Sequence, residues 1–181
     1  MLWGILIFRE SFMDFKYHYV SPLGGITMAC NDIGLTGLWF DGQAHFGSTL
    51  SPDSTEKMTD IFRDTAVWLD IYFNGGKPDF TPPMSLSSTP FRMAVWDILR
   101  EIPYGKTMTY GEISRIAAER LGKKSMSSQA VGGAVGHNPI SLIIPCHRVI
   151  GADGSLTGYA GGIVRKIRLL ELEGTGFKKI C

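Results

Sequence analysis

The chain predicts two folded units, a small α/β unit followed by a mainly α-helical one that contains a helix-turn-helix. Three observations carry this. Residues 15–40 hold three short apolar runs separated by Gly, Pro, Asn and Asp, the pattern of strands joined by tight turns. Residues 77–88 carry Pro78, Pro82 and Pro83, which break any regular element. Beyond them lie capped segments with apolar residues at helical spacing. A length of 181 residues, with 44% hydrophobic and 19% charged, fits one ordinary domain or two small ones around a sizeable core. We expect an N-terminal extension at residues 1–12, an α/β domain at 13–76, a linker at 77–88 and a second domain at 89–181.

The elements follow in order. Leu2–Phe8 is a short apolar run with no basic flank and no small-residue cleavage site, so it is not read as a signal peptide; it is expected to stand outside the fold. No apolar stretch approaches the roughly 18 residues that span a bilayer, so no membrane association is expected. Phe15, Tyr17 and Tyr19 share one face of a strand at period two, and Ser21–Gly25 forms a turn. Strands are expected at Ile26–Cys30 and Leu35–Phe40. Asp53 with Glu56 predicts a helix start, Met58, Ile61, Phe62, Leu69 and Tyr72 its apolar face, and Asn74-Gly75-Gly76 its stop.

In the second unit, Thr89 caps a helix with Pro90 in its first turn and Phe91, Ala94, Val95, Ile98, Leu99 and Ile102 inward. Thr109-Tyr110-Gly111-Glu112 is a capping box that opens the next helix, which Gly122 stops. After a basic turn, Ser127 or Ser128 caps Gln129–His137, which Asn138-Pro139 ends. Two short helices around a tight turn form a helix-turn-helix pattern. The last of them is rich in glycine (Gly132, Gly133, Gly136), each costing about 1 kcal/mol against alanine. Either a ligand backbone such as a nucleic-acid duplex or a neighbouring helix would explain a bare face there.

Net charge is +1, but residues 1–88 carry five Lys/Arg against ten Asp/Glu, whereas residues 89–181 carry thirteen against seven. The basic half is the one suited to a polyanion. Cys30, Cys146 and Cys181 are odd in number and widely spaced, which argues against a disulfide scaffold and for a reducing, cytoplasmic setting. Neither they nor His18, His45, His137 and His147 show metal-ligand spacing, so no metal and no other cofactor is expected.

The sharpest chemical feature is Ile144-Pro145-Cys146-His147-Arg148-Val149, a thiol beside an imidazole that can take its proton. A buried cysteine acting as a small hydrophobe is the plainer reading of the dipeptide. Glu173 alone reads as a residue at a helix end, and Tyr110 as a half-buried aromatic at a helix start.

With Tyr104-Gly105, Tyr110, Ala130–Ala134, Asn138-Pro139, Ile144–Val149, Tyr159–Gly162 and Leu169–Gly174, the chain resembles the methylated-DNA–protein-cysteine methyltransferases, the O6-alkylguanine-DNA alkyltransferases. These pieces keep order and spacing over about residues 89–175. The resemblance implies a ribonuclease-H-like N-terminal domain and a winged-helix-like second domain. It implies repair of double-stranded DNA by transfer of a methyl or small alkyl group from O6 of guanine, and O4 of thymine, to the protein's own cysteine, once per molecule. By the same resemblance Cys146 is the nucleophile, His147 takes its proton through water, and Glu173 orients the imidazole. Asn138 braces the turn that holds the thiol, and Tyr110 donates to the leaving purine. Backbone groups around Cys146, Val149 and Ala160 read the base, and Tyr159 walls the pocket. Thr157 departs from the resemblance, standing where relatives often have a smaller residue, and its branched side chain is expected to narrow access for bulky adducts. Arg148 is assigned to local structure.

The resemblance also implies a monomer whose helix-turn-helix meets the minor groove through Tyr110, Gln129, Ala130, Gly132 and Gly133. The base must be flipped out of its stack at a cost of a few kcal/mol. Relatives most often carry arginine where Gln129 stands, so weaker and less salt-dependent binding is expected here. Two other functions remain open on these residues, a cysteine hydrolase built on Cys146, His147 and Glu173, and a DNA-binding sensor of alkylated bases that performs no transfer.

Overall fold

The computed structural model describes residues 14–176, so the proposed N-terminal extension and Cys181 lie outside the described residues. Strands β1 (Phe15–Ser21), β2 (Gly24–Cys30) and β3 (Leu35–Phe40) form an antiparallel meander where the apolar runs predict it. A fourth strand, β4 (Thr55–Glu56), pairs parallel to β1, giving the order β3-β2-β1-β4. Helix α1 (Asp60–Phe73) covers the aromatic face of β1, with Tyr17 against Phe62 and the Tyr19 hydroxyl on Asp70.

The start of α1 corrects the sequence expectation. The Asp53/Glu56 pair does not cap it. Thr59 does, its hydroxyl accepting from the Phe62 amide, while Thr55-Glu56 is taken up by the otherwise open edge of β1. An unpaired strand edge offers Thr55 and Lys57 backbone partners that a frayed helical turn would lack.

Helices α2 (Pro90–Arg100), α3 (Tyr110–Arg120) and α4 (Ser128–Gly136) begin at caps Thr89, Thr109 and Ser127, and the capping box at Thr109/Glu112 is complete. Trp96 Nε1 donates to the Ala134 carbonyl at 2.9 Å and ties α2 to α4. A short parallel pair, β5 (Met108–Thr109) with β6 (Val149–Ile150), brings the start of α3 beside the segment that carries Cys146. Helix α5 (Ile163–Leu172) follows Gly162, whose φ of 88° favours glycine.

The segment expected to be a plain linker is partly structured. Met84 bridges Leu35, with Leu35 N–H on the Pro83 carbonyl and Ser85 N–H on the Leu35 carbonyl. The same strand β3 also receives residues 139–141, through Leu38 N–H to the Pro139 carbonyl and Ser141 N–H to the Leu38 carbonyl, both 2.8 Å. One continuous apolar core joins the two halves, from Phe15 and Leu38 to Val131, Ile144 and Leu169.

Candidate active site

Cys146 opens a one-turn 3-10 helix (Cys146–Arg148) that follows the apolar run Leu142–Ile144. Leu142 has φ 71°, unusual for a residue with a side chain, and the turn it makes directs the chain back toward Asn138. The Asn138 amide nitrogen donates to the Ile144 carbonyl (2.7 Å), to the Ile140 carbonyl (3.2 Å) and to Cys146 Sγ (3.0 Å), while its oxygen accepts from Ile140 N–H. Asn138 therefore braces the turn and also touches the sulfur.

The thiol is 4% exposed and opens into a cavity of about 230 Å³ lined by Tyr110, Gly132, Val135, Gly136, Gly158, Tyr159 and Ala160. This is below the roughly 300 Å³ at which drug-sized ligand pockets begin, and suits one small planar group. Burial pushes the Cys146 thiol up, with Asn138 and Lys166 pulling it back, so the resting group is S–H.

Behind the thiol, His147 is fully buried and its Nε2 meets Glu173 Oε1 at 2.7 Å. Nδ1, on the other side of the ring, is buried and has no hydrogen-bond partner among the described residues. Burial holds the imidazole below its ordinary value and so neutral, despite the carboxylate beside it. Glu173 is unlike the solvated helix-end residue of the plain reading. It is buried, which alone would raise its carboxyl, but the His147 contact and the Arg148 guanidinium hold it well below the usual carboxylate range.

Several contacts at the site are not legible in the sequence. Arg148 makes a two-pronged pair with Glu173 through Nε (2.8 Å) and Nη2 (3.0 Å), and donates to the Ile102 carbonyl. Gly105 N–H donates to Glu173 Oε2 at 3.1 Å, and the Tyr72 hydroxyl to Oε1 at 2.7 Å. Lys166 is fully buried and donates to the Val149 (2.5 Å) and Thr157 (3.0 Å) carbonyls; desolvation lowers it to about 8. The signal for Lys166 was present: it sits with Leu169, Leu170 and Glu173 on one buried stripe, where a charge is out of place. No comparable signal marks Tyr72, whose ring fits an apolar stripe whatever its hydroxyl does.

The other candidates divide. Tyr110, Tyr159 and Ala160 share the cavity with Cys146. Thr157 does not: it is exposed, and only its carbonyl is engaged, so the expected narrowing of the pocket finds no support. The Val149 side chain is buried, and its carbonyl already receives Lys166, with a second lone pair left over. Gln129, Ala130 and Gly133 are exposed on α4, and Gly132 lies beside the Tyr110 ring. A Cβ on Gly133 or Gly136 would meet nothing within 4 Å, so helix packing does not account for those glycines.

Two family models match the chain. Residues 15–86 match the 6-O-methylguanine DNA methyltransferase ribonuclease-like domain, and residues 90–175 the DNA binding domain of the same family. A methylated-DNA–protein-cysteine methyltransferase of Methanosarcina acetivorans is 42% identical over 87% of this chain and 96% of its own length. One from Mycobacterium tuberculosis is 44% identical over 84% of this chain and 88% of its own. The crystal structure of Mycobacterium tuberculosis O6-methylguanine methyltransferase covers 89% of this chain and 93% of its own, with a TM-score of 0.75 at 42% identity. The Mycobacterium tuberculosis OGT crystallised in complex with DNA covers 88% and 92%, with a TM-score of 0.74 at 41% identity.

Proposed function

Because the chain belongs to the methylated-DNA–protein-cysteine methyltransferase family, we propose that Cys146 is the sulfur on which it captures alkyl groups. The protein is a DNA repair alkyltransferase: it takes an alkyl group from damaged DNA onto a cysteine of its own. One observation carries the assignment to Cys146. Among the described residues its thiol is the one that opens into the cavity shared by Tyr110, Tyr159 and the glycine face of α4, with His147 and Glu173 behind it.

A guanine alkylated at O6, turned out of the duplex, enters that cavity with its alkyl carbon at Sγ. The sulfur attacks in line, the carbon–sulfur bond forms and the O6–carbon bond breaks. The thiol proton passes to neutral His147 at Nδ1, through a water where no direct bond links the two groups, and Glu173 holds the imidazolium. The electrons of the broken bond stay on guanine, and a hydrogen bond from Tyr110 spreads that charge. Asn138 keeps the sulfur aimed. The same displacement serves O4-alkylated thymine. A thioether has no leaving group that these side chains can expel, so each molecule reacts once.

Duplex DNA is the partner, met from the minor groove by the exposed face of α4, where Gln129 fills the place of the extruded base. The chain works as a monomer, with residues 77–88 connecting the α/β and DNA-binding domains. No helix among the described residues is long and apolar enough to cross a membrane, and the free thiols Cys30 and Cys146 fit a reducing cytoplasm.

Incubation with methylated duplex DNA and peptide mass spectrometry tests this. We expect one methyl on the peptide containing Cys146, a plateau at one equivalent, and no methyl in Cys146→Ser. A methyl elsewhere, or release of product beyond one equivalent as a hydrolase would give, overturns it.

A further inference from the structure

The side chains hydrogen-bonded behind the thiol, Asn138, His147, Arg148 and Glu173, belong to the second half of the chain, and a side chain of the first half joins them. Tyr72, near the end of α1 in the other half of the chain, is fully buried and reaches across. Its hydroxyl donates to Glu173 Oε1 at 2.7 Å, the oxygen that also meets His147 Nε2 at 2.7 Å, and lies 3.3 Å from Nε2 itself. We propose that Tyr72 is a positioning residue for alkyl transfer, whose hydroxyl pins Glu173 Oε1 on His147 Nε2 and thereby leaves Nδ1 as the acceptor for the thiol proton. The inference rests on the alkyl-transfer reading and deepens it.

The argument is one of donors and acceptors. A neutral imidazole carries one N–H, and an ionised carboxylate only accepts. The 2.7 Å contact with Glu173 therefore fixes the proton on Nε2. Tyr72 supports the same choice twice. Its proton is committed to Oε1, which holds that oxygen in place, and its own lone pair is what it then presents to Nε2. Had the hydroxyl donated to Nε2 instead, the other tautomer would follow, with its N–H aimed away from Glu173 and no lone pair for the thiol. The ring is separately anchored, stacked on Trp68 at 5.3 Å and edge-on to Tyr104 and His147 at 6.1 and 6.4 Å. Tyr72→Phe thus removes the hydroxyl while keeping the packing.

In the full chain, Tyr72→Phe is assayed for the rate of Cys146 methylation, for affinity to duplex DNA and for the nitrogen-15 spectrum of the His147 ring. The expected result is a rate lower by about tenfold or more, unchanged DNA affinity, and a second tautomer in the ring spectrum. An unchanged rate overturns the proposal, as does a slower rate with an unaltered ring spectrum, which marks a merely structural role. If the variant fails to fold, the unaltered protein still decides, because a His147 ring protonated at Nδ1 overturns it. Unaltered protein that takes no methyl at Cys146 overturns the function itself and leaves the tautomer result standing separately.

Discussion

Glu173 is bonded by four residues from three parts of the chain, Tyr72, Gly105 and the neighbours His147 and Arg148, and that density decides what a substitution there does. Removing the charge strands the Arg148 guanidinium in a buried setting, which costs on the order of 3–5 kcal/mol. Glu173→Gln is therefore expected to melt well below the unaltered protein at pH 7 and to lose most of its methylation rate. The pH dependence follows from the directions of the shifts. His147 is held below its ordinary value when folded, so the unfolded chain binds a proton that the folded one does not, and stability declines as pH falls through about 6.5. Glu173 is likewise depressed, so its contribution is complete above the ordinary carboxylate value of about 4.3 and is lost below it. Chemical denaturation at several pH values checks this: the gap between Glu173→Gln and the unaltered protein should narrow below about pH 4. A gap constant with pH would show that the carboxylate's charge contributes nothing. The sequence displays Cys146 and His147 as neighbours, but it places Glu173 beside them only through resemblance. Arg148 sits in the same motif, yet only the folded turn shows its fork on that carboxylate.

Elements were more legible than their edges. The strands β1 to β3 and the helices α2 to α4 lie where alternation and capping residues put them, because each signal is local: a threonine hydroxyl bonds an amide three residues on, whatever the rest of the chain does. Helix α1 starts later than Asp53 and Glu56 suggest because Thr55-Glu56 answers to β1, a partner some forty residues away in the chain. Helix α4 shows the same division. Its glycines were legible as a bare face, but only the fold shows that the space beside Gly133 and Gly136 is open. On that face Gln129 stands exposed where an arginine would add a phosphate-attracting charge. Gln129→Arg is expected to raise affinity for duplex DNA at low salt and to steepen the slope of log affinity against log salt by about 0.9 for one added contact. Titrations at two or more salt concentrations measure both quantities, and an unchanged slope would remove Gln129 from the DNA-facing surface.

At the scale of the molecule, the two halves are joined more closely than a Pro-rich connection suggests. Strand β3 pairs through Leu38 with residues 139–141, next to the asparagine that holds the thiol. Ser141 donates to Gln43, Ala44 N–H donates to the Ala160 carbonyl in the cavity wall, and Arg165 donates to the Leu23 carbonyl. None of this is legible in the sequence, since most of these bonds use backbone groups that every residue carries alike. Its consequence is mechanical: the N-terminal sheet cannot melt without releasing Asn138, the wall at Ala160 and the hydroxyl of Tyr72. Because the apolar core is also continuous across the halves, unfolding should be a single cooperative event. Scanning calorimetry of the full chain is expected to give one transition whose calorimetric and van't Hoff enthalpies agree. Loss of Cys146 methylation should follow the same midpoint. Two separated transitions, with methylation surviving the first, would mean that the sheet is only appended to the alkyl-accepting site.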